Sequence, residues 1–504
     1  MVKKIGFDNE KYLKEQKQAI LKRMKKFNGK LYLEFGGKIL YDYHASRILP
    51  GFDPAVKIKL LQELKDKAEV ILCVCAKDIE KKRIREDFGI TYDANVLKMI
   101  DDFKKRDIEV SAVVITRFDN QPAAKIFKNK LKRRGVKVYT HKPIKGYPND
   151  IDLIVSDKGY GANEYIKTKK PLIIVTAPGA GSGKLATCLS QLFHDHKRGK
   201  KSGYAKFETF PVWDMPLKHP VNIAYEASTA DIGDFNLIDS FHLKACKQKV
   251  VNFNRDIEIF PVLREILKKI MGKEVYNSPT DMGVNYVKSG MINDSIIKEA
   301  SKQEIIRRYF RYSCEYAKGT TSRGTIKRVE RMLKELNIKP EDRKVVIPAR
   351  KAAMEARKKK KGNKGIFCGG AIELNNGTIV TGKNSPLMHA SSSLILNAVK
   401  TLAKIPDETH LLSPTIIKSV EEFKESILET KAISLDLGET LIALSISAAT
   451  NPTARLATEK LKDLRSSEVH LTHIPTPGDE AGLKKLGVNL TSDPEFSTKD
   501  LFVV

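Results

Sequence analysis

The sequence predicts an α/β protein of two or three domains, and three observations carry that prediction. The first is length: 504 residues exceed what one hydrophobic core organises, at roughly 150 residues per domain. The second is rhythm. From residue 30 to about 193 short apolar runs alternate with longer amphipathic stretches, as the strands of a parallel sheet alternate with the helices covering both its faces. The third is a change in that rhythm, because strand signals thin from about 239 to 338 and return after 364. The expected domains are a doubly wound α/β unit at 1–235, a mainly helical section with a basic linker at 236–363, and a smaller α/β unit at 364–504.

Taken in order, the apolar runs predict strands at 31–35, 70–76, 110–117, 136–140, 151–156 and 172–176. Between them, 122–134 sets Ala123, Ile126, Phe127 and Leu131 at helical spacing opposite lysines and arginines, with Gly135 placed to end the helix. Residues 96–103 behave similarly, and 259–271 and 303–316 are the clearest helices of the middle section. The stretch 350–365 (RKAAMEARKKKKGNKG) has little to bury and reads as a linker or an exposed helix. Beyond it, 366–374 and 378–381 flank Asn375-Asn376-Gly377, a hairpin signal, and a helix follows at 392–402.

Composition bounds the setting. Hydrophobic residues make up 41% and charged residues 30%, and no apolar run approaches a membrane span, so no membrane partner is expected. Residues 1–10 hold two lysines with no apolar run behind them, which predicts a cytoplasmic protein rather than a secreted one. The six cysteines lack paired metal spacing and read as reduced thiols, and no metal site is expected. A formal charge of +29 attracts polyanions, but the basic runs at 22–26, 128–134, 197–201 and 357–361 are scattered. Aromatics, at 7%, are not interleaved with them as stacking platforms, so nucleic acid stays open as a partner without being favoured. A homo-oligomer is expected.

The most specific feature is 176–187 (TAPGAGSGKLAT), which follows the apolar run 172–175. Gly179, Gly181 and Gly183 alternate with Ala180 and Ser182, so the backbone can take positive φ and present successive amides. Leu185, Leu189, Leu192 and Phe193 then mark a helix whose positive end meets those amides beside Lys184. Strand, glycine loop, lysine and helix together suit a phosphate, and the cofactor they suit best is a nucleotide. The Walker pattern is incomplete: Pro178 stands at its first glycine and Leu185 at its hydroxyl. An ordinary P-loop NTPase and its usual magnesium are therefore not expected, although Ser182 or Thr187 could offer a hydroxyl. The dinucleotide fingerprint fails as well, since Lys184 stands where its third small residue belongs.

Residues 204–231 emerge beside this loop and could line a cleft at the carboxyl ends of the strands, or could simply cross between domains. If the cleft is catalytic, Glu226 or Asp231 is the candidate base or magnesium ligand, Lys218 or His219 the candidate to face substrate oxygens, and Lys206 a further substrate contact. Near the first strand, Lys38, His44 and Arg47 are a candidate second anion contact, or a solvated turn. His194-Asp195-His196 resembles a metal cluster, but alternating helical histidines diverge and no third ligand follows. Asn254-Arg255-Asp256 and residues 278–281 fit helix caps as readily as contacts.

With 31–38 (LYLEFGGK), 41–51 (YDYHASRILPG), 176–192, 204–231, 278–285 (SPTDMGVN) and 473–482 (HIPTPGDEAG), the chain resembles the bacterial family known as domain of unknown function 1846, or uncharacterised protein family 0371. The resemblance implies a Rossmann-like amino-terminal domain, a helical section, and a carboxy-terminal subdomain similar in topology to the cytidine deaminases. It implies no activity, because the family itself is uncharacterised. Zinc deaminases need a histidine or cysteine ligand, a nearby glutamate and a later Pro-Cys-x-x-Cys. Here His389 opens a helix, but Ser391 holds the glutamate's place and no cysteine follows Cys368. Zinc-dependent deamination is thus not expected, and His389 reads as a cap or a ligand contact. The expectation is a protein that binds a phosphorylated small molecule or nucleotide, as a metabolite enzyme or transferase. The rival is a non-catalytic scaffold whose basic surface holds RNA or acidic partners.

Overall fold

Continuous apolar sequence marks strands that are buried on both faces, and such strands form the centre of the larger sheet. The computed structural model describes residues 5–27, 29–85, 89–430 and 432–498, so part of the charged start at 1–10 lies outside the described residues. The strands are β1 (Lys30–Phe35), β2 (Ala68–Cys75), β3 (Val110–Thr116), β4 (Val138–Thr140), β5 (Leu172–Thr176), β6 (Ser202–Phe207) and β7 (Gly283–Val284). They lie in the order β7-β6-β1-β5-β2-β3-β4, with every pairing parallel. Every residue of β2 and β5 is buried. The result is a mixed α/β architecture with a Rossmann-like parallel sheet.

Two expected features need correction. Residues 151–156 are not a strand; they open as the helix Ile151–Ile154, because the Asp150 side chain accepts from the Leu153 amide at 2.9 Å. In helix Pro122–Arg133 the buried stripe is Ala124, Phe127 and Leu131, while Ile126 is 69% exposed. That three-then-four spacing turns the face one residue away from Ala123 and Ile126. Helix Tyr92–Lys104 forms as its periodicity predicts.

The section after 235 is less purely helical than its sequence suggests. Val251–Phe253 pairs antiparallel with Asn236–Ile238, and β7 extends the large sheet. Helices Asn254–Met271 and Asp294–Ala317 supply the expected helical mass. The amino-terminal helix Asn9–Phe27 grips the edge strand: the Gln16 amide donates to Val284 O at 3.2 Å, and Arg23 donates to the carbonyls of Asp281 and Gly283 at 2.7 and 3.1 Å.

The chain divides into two units, Lys4–Ser301 and Lys302–Val504. In the second, β8 (Gly369–Glu373), β9 (Ile379–Lys383), β10 (Glu468–Leu471) and β11 (Asn489–Ser492) form a sheet in the order β9-β8-β10-β11. β8 is antiparallel to both its neighbours, and β10 pairs parallel with β11. The predicted turn forms with Gly377 at φ +86°. Leu394, Val399, Leu437, Leu444 and Leu471 belong to the core around this sheet. Residues 350–358 belong to helix Val346–Lys358, which buries Ala349 and Ala356.

Candidate functional site

Strand order reverses at β5, which enters between β1 and β2 after β3 and β4 have been laid to one side. In open parallel sheets a cleft forms at such a point, beyond the carboxyl ends of the strands. The glycine loop occupies this position. Gly181 and Gly183 take φ of +74° and +80°, a left-handed conformation that side chains disfavour. Gly183 is the N-cap of helix Lys184–Lys197 and supplies no side-chain cap, so the first-turn amides have no side-chain acceptor. Thr116, at the end of β3, donates to Ser182 O at 2.7 Å. A Cβ on Gly183 would lie 2.8 Å from Thr116 Oγ1, and one on Gly179 would collide with the Tyr92 hydroxyl. The loop is therefore braced on the β3 side. Lys184 is half-buried, and among the described residues no carboxylate pairs with it. At the foot of the loop Thr176 is fully buried, and its hydroxyl has no hydrogen-bond partner among the described residues.

The loop's two other hydroxyls face inward. Ser182 Oγ donates to Gly179 O, which tightens the turn. Thr187 is fully buried and receives a 3.5 Å hydrogen bond from Cys73 Sγ. Burial pushes the Cys73 thiol up to about 12 despite that contact and the nearby Lys184 charge.

Next to the loop, the ends of β1 and β6 gather a charged cluster. Glu34 stands opposite Val175 on one side and Lys206 on the other, which sets Lys206 two strands from the loop, on the order of 10 Å. Lys206 Nζ bridges Glu208 Oε1, at 2.8 Å, and Asp256. The Tyr204 hydroxyl donates to Glu34 Oε2 at 2.7 Å. Burial opposes the charge on Lys206, but Asp256 and Glu208 hold its ammonium above its ordinary range. Burial likewise pushes the Glu208 carboxyl up to about 7; Lys206 pulls it down, and Asp256 adds to the rise. Gly36 leaves room here, since a Cβ would lie 2.9 Å from Phe207 O and 3.2 Å from Glu208 Cγ. Behind this cluster, Asp42 and Lys57 form a buried 2.6 Å ion pair. Burial works against the Asp42 carboxylate, yet Lys57 and the Ala45 amide hold it at about 2.

Of the residues singled out in the sequence, the structure brings Gly179, Gly181, Ser182, Gly183 and Lys184 into one loop and sets Lys206 in the adjacent cluster. His44 is buried against the rings of Phe210 and Tyr225. Lys38 and Arg47 are half-buried, and Lys218 and Asp231 are exposed. His219 caps helix Pro220–Ser228, accepting from Val221 N at 3.2 Å and meeting Asp294 at 2.9 Å. Glu226 Oε2 accepts from the Asn236 amide and side chain at 3.2 and 3.3 Å. Glu208, Thr116 and Tyr92 went unremarked in the sequence, where the only signal was position, each lying at or soon after the end of an apolar run; Asp256, read there as a cap or a contact, is a contact to Lys206. His194 and His196 hydrogen-bond the carbonyls of Asn163 and Ser202. Among the described residues no group of three metal-ligating side chains forms, and no helix is long and apolar enough to cross a membrane.

His389 belongs to the second unit. Its Nδ1 lies 2.8 Å from Asp479 Oδ2, and Ser391 Oγ donates to Asp479 Oδ1 at 2.5 Å. The Leu437 amide also donates to Asp479, at 2.9 Å. Burial opposes protonation of His389, but Asp479 outweighs it and raises the imidazole above its ordinary value. His473, buried with an unpartnered Nδ1, is instead pushed down to about 4.

The chain is 56% identical over 501 residues to a UPF0371 protein of Clostridium botulinum (strain ATCC 19397 / Type A), covering 99% of each chain. It is 55% identical over 500 residues to one of Clostridium tetani and 54% identical over 501 residues to one of Clostridioides difficile, again across 99% of each. The family model described as "Domain of unknown function DUF1846, N-terminal" matches residues 5–337, and its C-terminal counterpart matches residues 341–502. The chain therefore belongs to the DUF1846 family.

Proposed function

We propose that the loop 177–183 and Lys184 bind the phosphate of a small phosphorylated ligand or nucleotide, and that the first unit is a metabolite enzyme or transferase acting on it. One observation carries this reading: at the strand-order switch, an uncapped helix start, two left-handed glycines and an unpaired lysine converge. The buried, unpartnered Thr176 hydroxyl at the foot of the loop supports it. Because Ser182 and Thr187 spend their hydroxyls inside the fold, binding should not require magnesium. For proton exchange Glu208 is the better candidate than Glu226, whose carboxylate already accepts from Asn236, or than His219, which caps a helix. In the second unit we read a deaminase-like scaffold without zinc chemistry. Its support is the β9-β8-β10-β11 order and the use of His389 and Ser391 to hold Asp479.

Calorimetry with ATP and with inorganic pyrophosphate, each with and without magnesium, tests the phosphate site. Lys184→Ala should weaken binding about tenfold or more, the loss of one charge-assisted contact, with the melting temperature unchanged. Equal affinities in the wild type and the variant would remove the proposal.

A further inference from the structure

The second unit holds a cavity of about 640 Å³ whose lining is cationic. Lys360, Lys361 and Lys383 line it together with Ser385 and Asn397, and the single carboxylate in the wall is Glu355. Among the described residues none of the three lysines is ion-paired. Lys383 is half-buried while Lys360, Lys361 and Glu355 are exposed, so three ammonium groups against one carboxylate leave an excess of positive charge along an open concave surface, which attracts anions.

The walls are built rather than loose. After helix Val346–Lys358 the backbone of Lys360 turns into the left-handed region, at φ +54°. Gly362 then packs so closely on Ile366 and Phe367 that a Cβ would strike the Ile366 carbonyl. Asn363 and Ile366 close the turn with reciprocal backbone hydrogen bonds of 3.1 and 2.8 Å. Across the cavity the end of β9 is tied to the start of helix Ala390–Ala403: Ser393 Oγ donates to Lys383 O at 2.7 Å and accepts from Lys383 N at 3.3 Å. Asn384 stitches the two walls together, accepting from Cys368 N at 2.8 Å and donating to Ile366 O at 3.0 Å. Left-handed backbone at a lysine is costly, and it persists here because the surrounding turn holds it.

We infer that this cavity is a binding site for a small phosphate-bearing anion, distinct from the glycine loop of the first unit and independent of its role. The volume falls within the range of small-ligand sites, roughly 300–1,000 Å³. Ser385 Oγ, which accepts from Met388 N at 3.3 Å, keeps its own proton to donate beside the lysines, and Asn397 Nδ2, which donates to Thr381 O at 2.9 Å, keeps a second hydrogen. No aromatic side chain lines the wall, so bases of a nucleic-acid strand would find no stacking surface.

Lysine acetylation of the full chain by an N-hydroxysuccinimide ester, read by mass spectrometry with and without inorganic pyrophosphate, tests the site. At ten times the midpoint concentration, labelling of Lys360, Lys361 and Lys383 should fall about tenfold, while the neighbouring Lys358 and Lys359 keep their rates. The double variant Lys361→Glu, Lys383→Glu should abolish protection of Lys360. Lys184 reports the glycine loop in the same digest, so either site can fail alone. The inference is overturned if pyrophosphate protects none of the three lysines. It is equally overturned if only heparin or poly(U) protects them, together with Lys358 and Lys359, since that pattern marks an open polyanion surface.

Discussion

Glu208 keeps a proton over a range where an ordinary glutamate has lost its own, and stability should show it. Its folded pKa, at about 7, stands above the reference value of 4.5. The folded state therefore binds the proton more tightly, and the contribution is complete at low pH and lost as pH rises from about 4.5 through about 7. Glu208→Gln should flatten this part of the stability profile and gain on the wild type at pH 8. Denaturant melts at pH 5, 6.5 and 8 measure it, and parallel profiles for the two proteins would show that the carboxyl does not titrate there. At this scale the sequence was only partly legible. Lys206 stood out as a charged residue near the loop, but its partners lie at 208 and 256, and only the packing of helix Asn254–Met271 brings the latter to it. His219 and Glu226 have the chemistry of catalysts, and nothing in their spacing announces that one caps a helix and the other holds Asn236.

Among the elements, the glycine loop was the most legible, because strand, glycines and helix are contiguous in the chain. Its bracing was not, since Thr116 and Tyr92 arrive from two other elements. The brace separates two otherwise similar substitutions. A Cβ at Gly181 meets nothing within 4 Å, so Gly181→Ala pays only for left-handed backbone, about 1 kcal/mol. Gly183→Ala adds a 2.8 Å approach to Thr116 and should cost roughly 2–3 kcal/mol. Chemical denaturation of both variants checks the order, and equal losses would mean that Thr116 does not press on the loop. The buried strands β2 and β5 were plain as apolar runs. β6 was not, because Gly203 and Lys206 interrupt SGYAKF, and residues 151–156 misled because an apolar run that short suits a strand or a single helical turn until its Asp cap is seen.

For the whole molecule, the charge of +29 and the two proposed phosphate sites predict different responses to salt. Contact between a polyanion and the general field releases counterions, so poly(U) affinity should fall by about a thousandfold between 50 and 200 mM salt. Pyrophosphate engages few cations and should lose much less. Filter binding and calorimetry across that range separate the two, and poly(U) affinity that holds steady in salt would point to a shaped nucleic-acid site instead. The change of rhythm at about 239 and 364 does not mark the division at 301/302, and the edge of the large sheet was not visible either, because β7 is only two residues long and lies beyond a helical section. That edge has a consequence for synthesis. The ribosome completes the glycine loop and its helix some eighty residues before it releases Gly283 and Val284. Until they emerge, β6 presents an open row of backbone groups, and the helix Asn9–Phe27 waits without the carbonyls that Gln16 and Arg23 are to hold. A chain ending near 240 would thus carry a formed glycine loop on a sheet whose edge can still recruit a foreign strand, until its first and last parts meet.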